Sequence, residues 1–210
     1  MKSQSRLVLG VTAVLAVIPL ALTGCSAAPP ATTPKPTVAA SQAPIDPVKA
    51  PDAPTSGFTL VSDDSGHVQV NVPSTWTDVD GGSIAGPKDT TLLNVAASPD
   101  LNGFINGYDV PGVSVTMTND PTVTGQDFLD SIITSVAPNC DDGETGDYDD
   151  TLYVGTYMYL PNCGGKGTDF LTVVATNPDG VLAIITIQMV SDEDKSSVRD
   201  EILTSFNAVG

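Results

Sequence analysis

The sequence predicts an α+β domain in which an antiparallel sheet of about six to seven strands packs with two to three helices. Residues 67–72 alternate polar and apolar side chains, which is the period of a half-buried strand. Residues 181–190 are almost continuously apolar and β-branched, and they follow the turn residues 177–180, so they predict a central strand of a hairpin. Residues 125–136 carry apolar side chains at helical spacing. Hairpin-paired strands with helices between them favour the α+β class.

Residues 1–24 have the layout of a cleaved secretory signal peptide. Lys2 and Arg6 form a positive start, and residues 7–22 are almost entirely apolar, but this run is short for a permanent membrane span. The segment Leu22-Thr23-Gly24-Cys25 resembles the bacterial lipoprotein box, which implies that Cys25 receives a diacylglyceryl group and becomes the mature N-terminus. The alternative is an ordinary signal peptide followed by a stray cysteine. We expect a lipoprotein on the extracytoplasmic face of the cell membrane, because two or more acyl chains anchor a protein stably.

Residues 25–56 predict a disordered, lipid-anchored linker rich in Pro, Ala and Thr. The segment contains eight prolines and shows no apolar periodicity. A Pro-rich chain extends by about 3.1 Å per residue, so this linker reaches on the order of 90 Å. The extracytoplasmic α+β domain is then residues 57–210.

The charge of the chain argues against a nucleic-acid partner. The formal net charge is −17, from 8 Lys and Arg residues and 25 Asp and Glu residues. Cleavage of the signal peptide removes two of the cations, which leaves 6 against 25, or −19. Such a surface repels nucleic acid and anionic head groups, so we expect the domain to stand off the membrane that holds its linker.

The elements of the domain follow from their patterns in chain order. Strands at 57–61 and 67–72 flank a turn and predict a hairpin that opens the sheet, and Trp76 is expected in the core. The remaining predicted elements are strand 92–97, a helix with Leu101, Phe104 and Ile105 on one face, strand 113–117, a helix from Gly125 to about Val136 capped by Thr124, strands 153–160, 170–176 and 181–190, and a closing helix capped by residues 191–194.

Cys140 and Cys163 remain once Cys25 is assigned to the lipid. An even pair in an oxidising compartment predicts a disulfide, which would stabilise the domain by about 2–4 kcal/mol. A two-cysteine metal site is the weaker alternative, because the chain has no CxxC motif and its single histidine, His67, is far away in sequence.

Two resemblances rest on short segments of the domain. Val72-Pro73-Ser74-Thr75-Trp76 after an alternating strand, with a closing helix after a long strand, resembles the Mog1/PsbP-like fold. Mycobacterial lipoproteins of the LpqN type are similar in combining a lipobox, a Pro/Thr tether and such a domain. The resemblance therefore implies a Mog1/PsbP-like arrangement of the sheet and helices.

The second resemblance is to an accessory domain that follows the catalytic domain in some actinobacterial secreted trypsin-like serine proteases. It rests on residues 76–81, 97–101, Cys140 with 147–150, and 153–165, and it covers most of 58–210. The catalytic domain is absent here. The resemblance therefore implies an actinobacterial source and a binding or interaction module, and it supplies no catalytic residue.

The usual catalytic motifs are missing from the sequence. His67 is the single histidine and no serine lies in a Gly-x-Ser-x-Gly motif. Residues 164–168 lack the upstream glycine and the following helix of a phosphate-binding loop, so they predict a hairpin turn. We expect a protein without enzymatic activity or cofactor, and an unrecognised hydrolase is the weakest alternative, because the usual catalytic groups are missing.

The acidic run at 141–150 is a candidate Ca²⁺ site, because Ca²⁺ takes six to eight oxygen ligands. Its spacing differs from that of an EF-hand loop, and a charge run is usually a solvated loop. The candidate ligands are Asp141, Asp142, Glu144, Asp147, Asp149 and Asp150.

The aromatic residues Tyr153, Tyr157 and Tyr159 fall on one face of a predicted strand. This stripe borders an apolar ligand cleft in one interpretation and forms the core face of the strand in the other. We expect a membrane-anchored, non-catalytic interaction module whose partner is a secreted or cell-wall protein. The alternative is a carrier of a lipid or other small ligand that uses a cleft beside the sheet.

Overall fold

The computed structural model describes residues 54–209. The predictions of a signal peptide at 1–24, of lipidation at Cys25 and of the linker over 25–56, as far as residue 53, lie outside the described residues. No helix within 54–209 is long and apolar enough to span a membrane.

The described residues form eleven strands and three α-helices, so the α+β prediction is confirmed. The strands are β1 Phe58–Ser62, β2 Val68–Pro73, β3 Asp78–Asp80, β4 Ile84–Ala85, β5 Thr91–Ser98, β6 Gly112–Thr118, β7 Glu144–Asp149, β8 Val154–Cys163, β9 Thr168–Thr176, β10 Leu182–Met189 and β11 Asn207–Ala208. The helices are α1 Leu101–Asn106, α2 Gly125–Ser135 and α3 Arg199–Ser205, and a π-helical turn, Asp194–Val198, precedes α3.

Seven strands form the main path of the large sheet, in the order β3-β5-β6-β10-β9-β8-β7, and β4 pairs with β5 beside it. Every pairing in this sheet is antiparallel. Strand β10 lies in the middle, and its residues are buried except Thr186. This confirms the central strand that the run 181–190 predicts, because a strand covered on both faces needs apolar side chains on both.

The first hairpin does not open the large sheet, contrary to the prediction. Strands β1 and β2 instead form a separate three-stranded sheet with β11, in the order β1-β2-β11. The alternating face of β2 explains this position, because Val68, Val70 and Val72 are fully buried against the large sheet. The short strands β3, β4 and β11 were not predicted, since two or three residues carry no periodic signal.

The large sheet therefore has two differently covered faces. On one face the main core lies against the small sheet and α3, and it includes Trp76, Val115 and Ile185. The other face is covered by α2, whose Leu129 packs in a second cluster with Phe170. Trp76 is 4% exposed, in agreement with its predicted core position.

The helices present less of their apolar surface to the core than their patterns predict. Phe104 of α1 is buried, but the neighbouring Ile105 is 69% exposed. Leu129 of α2 is buried, but Ile133 is 50% exposed. The cap at Thr124 is present as predicted, because its hydroxyl accepts from the N–H of Asp127.

The acidic run is not a loop over its whole length. Residues 144–149 form β7, the edge strand of the large sheet, which pairs with β8. Charged side chains are usual on an edge strand, because they discourage pairing with another chain. The pattern of apolar residues did not reveal this strand, since its outward positions are acidic.

Candidate ligand cleft

The three tyrosines of the predicted stripe have different surroundings. Tyr153 is 1% exposed and belongs to the core, where its ring centroid lies 4.7 Å from that of Phe206. Its hydroxyl donates to the carbonyl of Ala208 at 3.0 Å and accepts from the N–H of Ala208 at 2.9 Å. Tyr157 and Tyr159 line an open cleft instead. Tyr153 therefore belongs to the core, as one interpretation of the stripe states, whereas Tyr157 and Tyr159 border a cleft, as the other states.

The cleft lies on the face of the large sheet that carries the main core, beside the C-terminal helical segment. Strand β2 packs over β5 and β6, so the three-stranded sheet does not cover the end of this face formed by β7, β8 and β9. The uncovered space has a volume of about 370 Å³. Ligand pockets in proteins commonly measure 300–1,000 Å³, so the cleft is large enough for a small molecule.

The lining of the cleft combines an apolar floor with aromatic and charged walls. The floor and helix side are aliphatic, and the walls carry aromatic and charged groups. The lining residues are Leu171, Val173, Met189 and Leu203, then Tyr148, Tyr157 and Tyr159, and the charged Glu144, Asp169, Lys195 and Arg199.

Strand register explains why the aromatic wall stands at this edge. Glu144 lies opposite Tyr159, and Gly146 lies opposite Tyr157. A Cβ at Gly146 would come within 2.6 Å of the Tyr157 ring, so the ring rests directly on the glycine. The missing side chain of Gly146 thus lets the Tyr157 ring lie over the edge strand.

The helical side of the cleft is formed by residues spaced four apart. Lys195, Arg199 and Leu203 follow one another at this interval, which places them on one face of a helix. Lys195 belongs to the π-helical turn, a geometry that is rare and frequently occurs at functional sites. The carboxylate of Asp194 holds the start of this turn, because it accepts the N–H groups of Val190 and Ser191.

A partly buried ionic network lies at one end of the cleft. The Asp169 carboxylate accepts from the Tyr159 hydroxyl, from the Asn162 N–H at 3.1 Å and from the Lys195 ammonium at 3.0 Å. The ammonium also donates to the carbonyl of Gly167 at 2.6 Å. Each charged group of this network is therefore paired.

The network also changes the acidity of its members. Burial opposes ionisation of Asp169, but the hydrogen bonds from Tyr159, Asn162 and Lys195 together hold its pKa below the ordinary value. Burial, followed by the hydrogen bond to Asp169, raises the pKa of Tyr159 to about 12. Burial and the nearby Asp150 likewise raise the pKa of Tyr148. These two phenols stay neutral at physiological pH, so they serve as hydrogen-bonding and apolar surfaces.

The chain is similar to cyanobacterial PsbP. The solution structure of that protein (CyanoP) from Synechocystis sp. PCC 6803 matches with a TM-score of 0.41 and 17% sequence identity, over 77% of this chain and 98% of CyanoP. No protein-family model and no curated protein sequence matches the chain. The α+β class rests on the strand pairing itself.

The residues singled out for catalysis or metal binding do not gather in the cleft. The Nδ1 atom of His67 lies 2.8 Å from the Ser65 hydroxyl, which donates in turn to Asp63 in the turn between β1 and β2. A serine that donates to the carboxylate is not deprotonated by the histidine, so this order is unlike that of a Ser-His-Asp triad.

The candidate Ca²⁺ ligands are likewise spread along an edge. Within 54–209, no three His, Cys, Asp or Glu side chains form a group able to hold a metal ion. Asp150 accepts from the N–H groups of Leu152 and Tyr153, so it stabilises the turn into β8. Asp147 and Asp149 are exposed on β7. Cys140 and Cys163 are joined in a disulfide on the other face of the sheet.

Sequence reasoning missed the charged half of the cleft. It named Tyr157, Tyr159 and Glu144, but not Asp169, Lys195 or Arg199. The spacing of Lys195, Arg199 and Leu203 was the available signal, because it places two cations beside an apolar residue on one helical face in a chain with few cations.

Proposed function

We propose that this chain is a lipid-anchored, extracytoplasmic binding protein without catalytic activity, and that it takes a small amphipathic ligand into the cleft between the β7–β9 end of the sheet and α3. The observation that carries this proposal is the open space of about 370 Å³ with an apolar floor and a charged wall. A soluble domain rarely leaves such surface uncovered without a binding role.

The chemistry of the lining favours binding over catalysis. The strongly interacting polar groups, Tyr159, Asp169 and Lys195, are bonded to one another. The pKa of the Asp169 carboxyl lies below its ordinary value and that of Tyr159 is raised to about 12, so neither group has the pKa near neutrality that suits a general acid or base at pH 7. Burial of the aliphatic floor under a ligand, by contrast, lowers the free energy because apolar surface is removed from water.

Ligand binding is tested by native mass spectrometry on the protein purified from its own host's envelope. We expect a retained adduct of lipid size on the wild-type protein. Leu203→Trp should remove it, because the indole fills the cleft. Val154→Trp is the matched control, since Val154 is 60% exposed at the start of β8 and outside the cleft. A bare mass for the wild type, or an adduct that survives Leu203→Trp, would contradict the proposal.

The anchor is a separate part of the proposal, and it rests on the resemblance of residues 22–25 to the lipoprotein box. Cys25→Ser should move the protein from the membrane fraction to the medium, because no acyl chain can then be attached. Ser26→Ala is the matched control and should stay with the membrane. Retention of Cys25→Ser in the membrane fraction would show that lipid attachment at this cysteine is not the anchor.

A second candidate is the protein-interaction module. Ile105 of α1 and Ile133 of α2 are 69% and 50% exposed, on elements far from the cleft face. Exposed apolar side chains mark a contact with another protein when they belong to one patch, which is what this candidate requires of Ile105 and Ile133. Cross-linking in intact cells should recover a secreted or cell-wall protein, and Ile105→Asp with Ile133→Asp should abolish that cross-link while Leu203→Trp leaves it. The opposite pattern would place the contact at the cleft.

A further inference from the structure

We infer that the ligand of the cleft carries an anionic group, either a carboxylate or a phosphate, and that Arg199 is the residue that receives it. This inference rests on the proposed function, since it names the chemical class of the ligand for the same cleft. Four observations lead to it: the distribution of cations, the pairing of Asp169 and Lys195, the contacts of Arg199 and the position of Glu144.

Cations are scarce in the domain, and they converge on the cleft. Residues 54–209 contain four Lys and Arg residues against 23 Asp and Glu residues. Two of the four, Lys195 and Arg199, line the cleft. Lys88 and Lys166 lie elsewhere and pair with Asp127 and Asp109. The cleft is therefore the part of the described domain where two of its few cations lie together, beside the carboxylates of Glu144 and Asp169.

The first cation, Lys195, does not select the ligand. Its ammonium bonds to Asp169 and to the carbonyl of Gly167, and Asp169 is 7% exposed. A pair of opposite charges is neutral as a unit, and removing the cation would leave the buried carboxylate unpaired. The role of Lys195 is to neutralise Asp169, so that the carboxylate at the end of the cleft neither repels an anion nor attracts a cation.

Arg199 has the capacity that Lys195 lacks. Its Nε and Nη2 atoms both donate to one oxygen, Asp200 Oδ1, at 2.9 and 2.7 Å. The Asp200 side chain is 64% exposed, and an exposed ion pair of this kind contributes little. The other N–H groups of the guanidinium make no hydrogen bond within the described residues, and a guanidinium fork matches a carboxylate or a phosphate.

The field of the Arg199 guanidinium reaches into the cleft. Burial and Asp169 raise the pKa of Tyr159, and the positive charge of Arg199 acts in the opposite direction on the same hydroxyl. The Tyr159 ring belongs to β8, across the cleft from α3. Arg199 therefore acts on the interior of the cleft as well as on the solvent.

Glu144 is the one lining carboxylate outside the ionic network. It is exposed on the edge strand, and its Oε1 atom lies 3.5 Å from the Tyr157 hydroxyl. Solvent screens a charge in this position. Glu144 therefore disfavours an anion only weakly, and only at the edge of the sheet, so the helical side with Arg199 is the better site for the anion.

The test uses four probes with the same alkyl chain, namely dodecanoate, dodecyl phosphate, dodecanol and dodecylammonium, below their micelle-forming concentrations. Affinities are measured by titration calorimetry on the full chain with Cys25→Ser. We expect both anions to bind more tightly than dodecanol. Arg199→Gln should weaken the anions roughly tenfold or more, which is typical of a lost charge-assisted hydrogen bond, and leave dodecanol unchanged. Lys166→Gln, outside the cleft, is the matched control.

A second variant keeps the inference testable if Arg199→Gln unfolds. Glu144→Gln removes the competing carboxylate, so it should tighten the anions roughly twofold and leave dodecanol unchanged. Tighter binding of dodecanoate than of dodecyl phosphate would identify a free fatty acid type of ligand, and the reverse order would identify a phospholipid type.

The results that overturn the inference differ from those that overturn the proposed function. Equal binding of dodecanol and the anions, preferred binding of dodecylammonium, or an anion preference unchanged in both variants would overturn the role of Arg199 while the cleft remains a binding site. Failure of all four probes to bind, or binding that survives Leu203→Trp, would overturn the carrier function itself and the inference with it.

Discussion

Tyr153 links two distant parts of the chain through one side chain. Its ring packs beside Phe206, and its hydroxyl bonds to both the N–H and the carbonyl of Ala208 in β11. These groups are buried, so the hydroxyl satisfies a donor and an acceptor that water does not reach. The C-terminal strand is therefore held in place by a residue that lies 55 positions earlier.

Tyr153→Phe should lower the free energy of unfolding by about 1–3 kcal/mol, because it leaves two buried backbone groups without a partner. Chemical denaturation monitored by circular dichroism measures the change. Tyr157→Phe is the matched control, since its hydroxyl makes only a 3.5 Å contact with Glu144. Equal stability of the Tyr153 and Tyr157 variants would show that the Ala208 bonds contribute nothing measurable.

Asp169 makes stability depend on pH at the acidic end. Because its pKa in the folded protein lies below the unfolded value of about 3.9, its contribution is complete above that value and is lost as pH falls through the folded pKa. Asp169→Asn should therefore be less stable than wild type at pH 7, and the difference should shrink below about pH 4. Thermal melts across this range measure it, and a gap independent of pH would contradict the network. Asp147→Asn, exposed on β7, is the control for the loss of one carboxylate.

At the scale of the element, α2 shows how a sequence signal becomes a helix start. Thr124 and Asp127 form a reciprocal capping box, in which the Asp127 carboxylate accepts the Thr124 N–H at 2.9 Å. Lys88 adds an ion pair to the same carboxylate at 3.0 Å. The pKa of the Asp127 carboxyl is lowered to about 2. The hydrogen bond from the Thr124 N–H makes the largest contribution, followed by the hydrogen bond from Lys88.

Thr124→Ala should destabilise the domain by about 1 kcal/mol, because the first turn of α2 loses its cap. Thr134→Ala is the matched control inside the same helix, where alanine is a good helix former and no loss is expected. Denaturant titration of the two variants measures the difference. If Thr134→Ala is the more destabilising change, the cap does not stabilise α2.

Strand β7 is an element that the apolar pattern of the sequence does not predict. Three of its six residues are acidic, and Tyr148 is its single large apolar side chain, so apolar alternation is almost absent. Pairing with β8 creates the strand, and the carboxylates then suit an edge that must not pair further. The sequence shows this segment as a run of charged residues, whereas its strand conformation depends on pairing with β8.

At the scale of the whole molecule, the disulfide joins the segment after α2 to the end of β8. Cys140 and Cys163 are 23 positions apart and border the second core cluster. Replacing both by alanine should lower the free energy of unfolding by about 2–4 kcal/mol, because the unfolded chain gains freedom. Reduced wild-type protein should match the double variant. A reduced protein as stable as the oxidised one would contradict this.

The fold and the cleft were predictable to different degrees. The runs at 67–72, 113–117 and 181–190 identified strands because a period of two, or a long apolar run, is a local property. Local pattern also placed Trp76 in the core and Thr124 at a cap. The destination of the first hairpin was wrong, because no local signal states which sheet a strand joins.

The sequence by itself determined the class of the domain, its long apolar strands, its helices and the acidity of its surface. The tertiary structure alone decided that β2 and β11 form a second sheet, that Tyr153 is core while Tyr157 and Tyr159 line a cleft, and that Lys195 and Arg199 face those tyrosines. The reason is physical. Periodicity and charge act between near neighbours along the chain, whereas a cleft depends on which part of a sheet a distant element leaves uncovered.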